Sequence, residues 1–99
     1  MQYLDSMLFT GKITQKENGK VLKISEYKNG YLDGIETTYY DNGYIKEERY
    51  YEKGMKQGEH KGWWESGLIR FVYHFKDDVF DGNVKQWNSS GLLFSDFNY

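Results

Sequence analysis

The sequence contains no cysteine and no proline. The lack of cysteine excludes disulfide bonds and thiolate metal sites, and it leaves the redox compartment open because such a chain can persist in any of them. No apolar run approaches the length of a membrane helix, roughly 18 residues. The opening residues, MQYLDSMLFTGK, lack a basic start followed by a long apolar run, so we expect no signal peptide and a cytoplasmic protein.

An excess of either charge is also missing, since 13 Lys and Arg residues face 15 Asp and Glu residues and the net charge is −2. This balance does not fit a nucleic-acid-binding surface, and nucleic acid is not an expected partner. Tyrosine is abundant instead, with 10 residues among 99. Tyr and Trp favour strands and half-buried surfaces. A chain of this length fits one domain with a thin core.

Glycines and aromatic residues recur every 24 residues. The glycine columns are Gly19, Gly43, Gly67 and Gly91; Gly34, Gly58 and Gly82; and Gly30 and Gly54, with Asp78 in the third place. The aromatic columns are Tyr27, Tyr51, Phe75 and Tyr99, and Tyr39, Trp63 and Trp87; an aliphatic column holds Val21, Ile45, Ile69 and Leu93. We therefore expect one domain over residues 1–99, with repeats at about 11–34, 35–58, 59–82 and 83–99.

Each unit carries two turn signals, an Asn-Gly or Ser-Gly and then a second glycine, with Asp78 as a substitute that tolerates the left-handed conformation. The intervening segments predict eight strands near residues 7–16, 20–28, 31–41, 44–52, 55–65, 68–76, 79–88 and 91–98. The predicted fold is all-β: an antiparallel meander of four β-hairpin repeats forming a curled single sheet. Gly34, Gly58 and Gly82 lie within strands, which predicts a bulge, a bend or a side chain lying flat on the backbone there; aromatic rings are the expected side chains.

This pattern resembles the MORN-type repeats, and more closely a bacterial variant with a Tyr-x-Asn-Gly core and units of about 22–24 residues. The resemblance spans residues 9–99. The residues that carry it are Gly34, Tyr39, Tyr40, Asn42, Gly43, Ile45, Tyr51, Gly54, Gly58, Trp63, Trp64, Gly67, Ile69, Phe75, Gly82, Trp87, Gly91, Leu93 and Tyr99. Proteins of this variant include antitoxins of toxin–antitoxin or immunity systems, the YwqK-like group; MORN repeats of larger proteins are associated with lipid headgroups and dimerisation. The resemblance implies no catalytic residues.

The two histidines, His60 and His74, are predicted to lie at the surface, because two ligands do not make a zinc site. The segment KDDVFDG is similar to the start of a calcium loop at Asp77, Asp81 and Gly82. Val79 and Asn88 occupy its third and twelfth positions, however, so turn chemistry is the better interpretation. Metal and cofactor sites are not expected.

Catalysis has little support in the sequence. Ser66, Ser89 and Ser90 lie in predicted turns, where serine is an ordinary turn residue. The adjacent carboxylates Glu47 and Glu48 point to opposite faces of a strand, so they cannot act as a pair. We therefore expect a protein that is not an enzyme.

Protein binding is the remaining class, because interfaces are enriched in Tyr, Trp and Arg. The expected function is an antitoxin or immunity-type inhibitor that sterically masks a toxin or other enzyme. One alternative is a scaffold or a membrane-associating module that binds anionic lipid through the basic and aromatic residues 53–64; another is a phage or mobile-element inhibitor of a host enzyme. The last strand, 91–98, is an open edge that could form a homodimer or accept a partner strand. The candidate partner-binding residues are Tyr40, Tyr44, Lys46, Glu48, Arg49, Tyr50, Lys56, Lys61, Trp64, Tyr73 and His74.

Overall fold

The computed structural model describes residues 9–99. Within this range the regular secondary structure consists of β-strands alone. The strands are β1 (Gly11–Glu17), β2 (Lys20–Lys28), β3 (Tyr31–Tyr39), β4 (Ile45–Glu52), β5 (Met55–Lys56), β6 (Gly58–Trp63), β7 (Ile69–Lys76), β8 (Val79–Phe80), β9 (Asn83–Trp87) and β10 (Leu93–Asn98). Over this range, no helix is long and apolar enough to cross a membrane. The first predicted strand starts later than expected, at Gly11, and residues 7 and 8 lie outside the described range.

The strands form one antiparallel sheet in the order β1-β2-β3-β4-β6-β7-β9-β10, with β5 paired to β4 and β8 paired to β7. This confirms the predicted all-β meander. Two of the eight expected strands are split: segment 55–65 breaks at Gln57 and segment 79–88 breaks at Asp81 and Gly82. Of the alternatives predicted for these glycines (a bulge, a bend or a flat side chain), a break in the strand is therefore found beside Gly58 and at Gly82, which have a positive φ of 70° and 99°, whereas β3 runs through Gly34 without a break.

The side chain that lies against these glycines differs from one repeat to the next, and the predicted aromatic ring is the nearest contact only at Gly58. Glu26 lies over Gly34, where an added Cβ would be 2.8 Å from the Glu26 carboxylate. Tyr50 lies over Gly58 and His74 lies over Gly82, with side-chain atoms 3.7 Å from an added Cβ. Glu26, Tyr50 and His74 are one column of the repeat, so a variable column, rather than an aromatic one, packs on the glycines.

From Asn42–Gly43 onwards the two turn signals of each repeat give two different turns, whereas at Asn18–Gly19 both residues have positive φ, 53° and 77°. Asn29, Lys53 and Asp77 have positive φ together with the residue that follows each of them, as a two-residue hairpin turn with φ > 0 at both central positions requires. Asp78 fills the second position with φ 71°, so the expected substitution for glycine is confirmed. In the Asn42–Gly43 turn only Gly43 has positive φ, and its N–H donates to the Tyr40 carbonyl at 2.9 Å.

Each of the four hairpins whose turns contain Gly19, Gly43, Gly67 and Gly91 also carries a β-bulge at the same repeat position. The strand register shifts so that Leu22, Lys46, Arg70 and Phe94 have no partner of their own across the hairpin. Because the bulge falls on the second strand, alternation along the first strand is undisturbed. Tyr39 therefore pairs with Ile45, Trp63 with Ile69 and Trp87 with Leu93, each pair on one face of the sheet.

Cross-strand partners share a face, which divides the sheet into two. One face, here the His60 face, carries the row Ser25, Glu36, Arg49, His60, Tyr73 and the neighbouring row Gly62, Phe71, Gln86. The opposite face, the Lys61 face, carries Ile24, Thr37, Glu48, Lys61, Val72, Lys85 and Asp96. The molecule measures 44 × 35 × 17 Å, as expected for one layer of strands.

Candidate protein-binding surfaces

The buried centre of the His60 face is built around a histidine. His60 is fully buried, with a relative exposure of 0%, so its predicted surface position is wrong. Its ring lies between Tyr51 and Phe75, at centroid distances of 5.8 and 4.7 Å. A proton on Nε2 lets the ring donate to the Tyr50 carbonyl at 2.8 Å, and Nδ1 then faces Arg49 Nη1 at 3.4 Å.

Burial and the nearby cation both disfavour the protonated form of this histidine. Loss of water around the ring lowers the pKa of His60 below its usual value, and the Arg49 guanidinium lowers it further, against the opposing effect of the Tyr50 backbone. The His74 side chain, in contrast to the buried His60, is 36% exposed, and it lies on the Lys61 face. The two histidines pair with neighbouring residues, Tyr73 and Glu59, so they point to opposite sides of the sheet and share no site.

Phe71 extends the same buried centre across Gly62. An added Cβ at Gly62 would lie 2.6 Å from Phe71 Cζ, so the ring occupies the space that a side chain would fill. Tyr73 stacks on Phe71 with a centroid distance of 4.2 Å, and the Arg49 guanidinium lies 5.4 Å from the ring centroid. Burial raises the pKa of Tyr73, so its hydroxyl stays neutral. Arg49 and Tyr73, two of the candidate binding residues, are therefore half-buried parts of the packing.

Towards the start of the chain the His60 face becomes polar. Ser25, which is 3% exposed, donates its hydroxyl to Glu36 Oε2 at 2.8 Å. Arg49 Nε donates to Glu47 Oε1 at 2.8 Å. Burial raises the pKa of Tyr51, and the Glu36 carboxylate raises it further. These contacts pair Ser25, Glu36 and Arg49 within the protein, as buried polar groups require, whereas Thr38 Oγ1 on the same face is buried without a hydrogen-bond partner among residues 9–99.

Four candidates lie on the Lys61 face: Glu48, Tyr50, Lys61 and His74. Lys61 Nζ is 3.1 Å from Glu59 Oε1, and His74 Nε2 is 3.4 Å from Glu59 Oε2. His74 Nδ1 also contacts the Asn83 carbonyl at 2.7 Å, beside Gly82, where the His74 Cβ is the nearest side-chain atom. This mixed-charge centre is partly exposed and its charges offset one another.

The remaining aromatic candidates lie at the Asn42 end of the sheet. The Tyr40 hydroxyl donates to the Trp63 carbonyl at 2.7 Å, and the Trp64 indole donates to the Trp87 carbonyl at 3.3 Å. Both bonds link one repeat to the next. Lys46 Nζ lies 5.6 Å from the Tyr40 ring centroid, while Tyr44 in the turn is 56% exposed.

Sequence reasoning missed Arg70, which stands at the same bulge position as Lys46. Its guanidinium lies 4.3 Å from the centroid of the Trp64 ring, a close cation–π contact. The 24-residue period could have found it, because position 70 is position 46 advanced by one repeat and position 64 is position 40 advanced likewise.

The basic and aromatic segment 53–64 does not form one patch. Lys56 Nζ lies 5.2 Å from the Phe75 ring centroid, Lys61 pairs with Glu59, and His60 is buried. These basic groups are therefore divided between the two faces and the interior. A lipid-binding surface needs cations that reach out together, and this arrangement gives that alternative little support.

The acidic segment 76–82 makes contacts typical of turns. Asp77 Oδ1 accepts from Gln57 Nε2 at 2.6 Å, and Asp78 Oδ1 accepts from the Lys56 N–H at 2.8 Å. Among residues 9–99, no three His, Cys, Asp or Glu side chains are grouped as a metal site requires. Comparison of the chain with protein-family models, curated proteins and solved structures gives no match.

Proposed function

We propose that this chain is a protein-binding module that acts without catalysis, in its most concrete form an antitoxin or immunity-type inhibitor of the MORN-variant kind. The observation that carries the proposal is the imbalance between buried and exposed apolar side chains. Within residues 9–99, only Phe71 and Val84 are buried apolar residues. Fifteen large apolar side chains in the same range are exposed, Leu92 and Val79 by more than 60%.

Contiguous exposed apolar surface marks an interaction site in a soluble protein, and the exposed Tyr44 and Ile45 line one hollow together with Trp63. The single-layer sheet offers a broad surface and shallow hollows, which suit the covering of a partner better than the enclosure of a small substrate. Inhibition would then be steric: the sheet would occupy the working surface of the partner and exclude its substrate.

The test is to capture the partner from the native host with the tagged chain, identify it by mass spectrometry, and reconstitute the pair from purified proteins. We expect a stoichiometric complex in which the partner's activity falls in proportion to the fraction bound. A partner whose activity is unchanged when saturated would contradict inhibition, and the absence of any reconstituted complex would contradict protein binding. Pelleting with anionic vesicles, lost in a Lys56→Glu/Lys61→Glu variant, would favour the lipid alternative instead.

A further inference from the structure

A continuous apolar row crosses the Lys61 face at the Asn42 end of the sheet. It alternates aliphatic and aromatic side chains on successive strands, and we call it the turn-end stripe: Val21, Tyr39, Ile45, Trp63, Ile69, Trp87 and Leu93. Its members are half-buried or exposed, Ile45 by 39% and Leu93 by 48%. Seven strands at about 4.8 Å spacing make the stripe roughly 29 Å long.

Two hollows open between successive hairpins along this stripe, at equivalent repeat positions. The first has a volume of about 470 Å³ and is lined in part by Lys20, Val21, Tyr39 and Gly43. The second has a volume of about 400 Å³ and is lined by Gly43, Tyr44, Ile45, Trp63 and Gly67. Four lining positions of the second hollow are those of the first advanced by 24 residues, so the surface is a repeated binding shape.

The spacing of these hollows selects the conformation of a ligand. One repeat is two strands wide, so equivalent hollows are about 9.6 Å apart. A polyproline II helix repeats every three residues of 3.1 Å each, which is about 9.3 Å. An extended β-strand repeats its side chains every 6.6–6.8 Å or so, and two turns of α-helix span about 10.8 Å, so both lose register within three repeats.

The hydrogen-bonding groups at the turn-end stripe also fit a chain in the polyproline II conformation. The stripe lies on a sheet face, where the backbone bonds of β2 to β9 are already made to neighbouring strands, so strand addition cannot occur there. A polyproline II chain makes no internal hydrogen bonds and presents its carbonyls outward. Trp63 and Trp87 have no indole hydrogen bond to any of residues 9–99, whereas the Trp64 indole is paired, so the stripe holds two indole donors without a partner in that range. Lys20 and Asp41 both line the first hollow and offset each other, which suits an uncharged segment.

We propose that the turn-end stripe binds a proline-rich peptide in the polyproline II conformation, with an apolar residue at every third position. The proposal rests on the proposed function, because the peptide would be the recognition segment of the protein partner. Successive apolar side chains of the peptide enter successive hollows, and its carbonyls accept from the indoles of Trp63 and Trp87.

The test uses a fluorescein-labelled peptide of four Pro-Pro-Leu triplets and the full chain. We expect saturable binding by fluorescence anisotropy, and shifts of the Trp63 and Trp87 indole N–H resonances that exceed the shift of Trp64. A peptide of the same composition in which the residues are rearranged, so that the leucines no longer fall at every third position, should bind at least about fivefold more weakly, because only one hollow can then be filled in register. Equal binding of the two peptides, or no binding, would overturn the proposal.

The matched variants are Tyr44→Ser, beside the second hollow, and Tyr31→Ser, at the other end of the sheet, because these tyrosines are 56% and 60% exposed. We expect Tyr44→Ser to lower the affinity for the triplet peptide by about fivefold and Tyr31→Ser to leave that affinity unchanged. Equal effects would contradict the site. Both side chains are exposed, so both variants should keep the wild-type urea midpoint. Capture of the host partner by Tyr44→Ser at wild-type affinity would overturn the stripe as the recognition site while leaving protein binding intact. Binding of the triplet peptide without capture of any host partner would support the stripe as a peptide site and contradict the proposed function.

Discussion

Substitution of Gly62 tests the packing that holds the sheet together. Gly62 has an ordinary φ, so alanine is compatible with its backbone, and the usual effect of replacing a strand glycine by alanine is a gain of about 0.5–1 kcal/mol. Here the added Cβ would lie 2.6 and 2.7 Å from Cζ and Cδ2 of Phe71. These distances are below any allowed contact, so the ring must move.

The ring has little room to do so. Phe71 is 5% exposed and is confined by Tyr73 at 4.2 Å and by the Arg49 guanidinium at 5.4 Å. Displacing it costs the burial of an aromatic side chain and strains its neighbours, which together amount to about 2–4 kcal/mol. After subtraction of the alanine gain, we expect Gly62→Ala to lower the free energy of unfolding by about 1–3.5 kcal/mol.

Urea unfolding followed by tryptophan fluorescence and far-UV circular dichroism measures this loss. The control is Gly43→Ala, where no atom lies within 4 Å of the added Cβ but φ is +88°, and the backbone strain alone should cost about 1–2 kcal/mol. In a Phe71→Leu background the Gly62→Ala cost should shrink by at least about 1 kcal/mol, because the ring is gone. A cost that is unchanged in that background, or one below about 0.5 kcal/mol in the wild type, would refute the reasoning.

Three further predictions concern single side chains. Because the pKa of His60 is lowered in the folded state, the unfolded chain binds a proton at a higher pH than the folded chain does. The free energy of unfolding should therefore be constant above about pH 6.5 and should fall as the pH drops towards the folded-state pKa. Urea titrations at pH 7.5 and 5 measure this dependence, and His60→Gln should flatten it. Asp78→Ala should cost about 1–2 kcal/mol through its φ of 71° and its lost bond to the Lys56 N–H, whereas Asp78→Asn should be nearly neutral by the same assay. Tyr40→Phe should cost about 1 kcal/mol, because the Trp63 carbonyl loses its donor.

The period of the sequence was sufficient to predict the hairpins. Glycines at fixed intervals place the turns, and the residues between them have the length and the aromatic content of strands. The left-handed conformation of Asp78 followed from its place in a glycine column. The splits at Gln57 and Asp81 could be foreseen only as bends, because sequence does not reveal how many ladder bonds a bend removes.

The buried position of His60 could not be predicted, because its column holds unlike residues. Glu36, His60 and Val84 are 24 residues apart and occupy equivalent places on the His60 face. Each is accommodated by a different means: the half-buried Glu36 accepts from Ser25, the buried His60 contacts the backbone of Tyr50, and the buried Val84 is apolar. A polar residue is tolerated there because a neighbouring repeat supplies its partner, and that partner is invisible in a single column.

The most regular columns of the repeat are not the most buried ones. The more buried column carries Glu, His and Val, whereas the turn-end stripe keeps an aromatic and an aliphatic residue in each hairpin after the first and stays half exposed. If burial alone fixed the residues, the interior would be the uniform part and the surface the varied part. A thin sheet can satisfy its interior by several local solutions, but a ligand that spans three repeats needs the same contact at each step. Uniformity at the surface is therefore what a periodic ligand such as polyproline II requires, and it is the reason to place recognition at the stripe rather than at the variable column of Glu26, Tyr50 and His74, which packs on glycine.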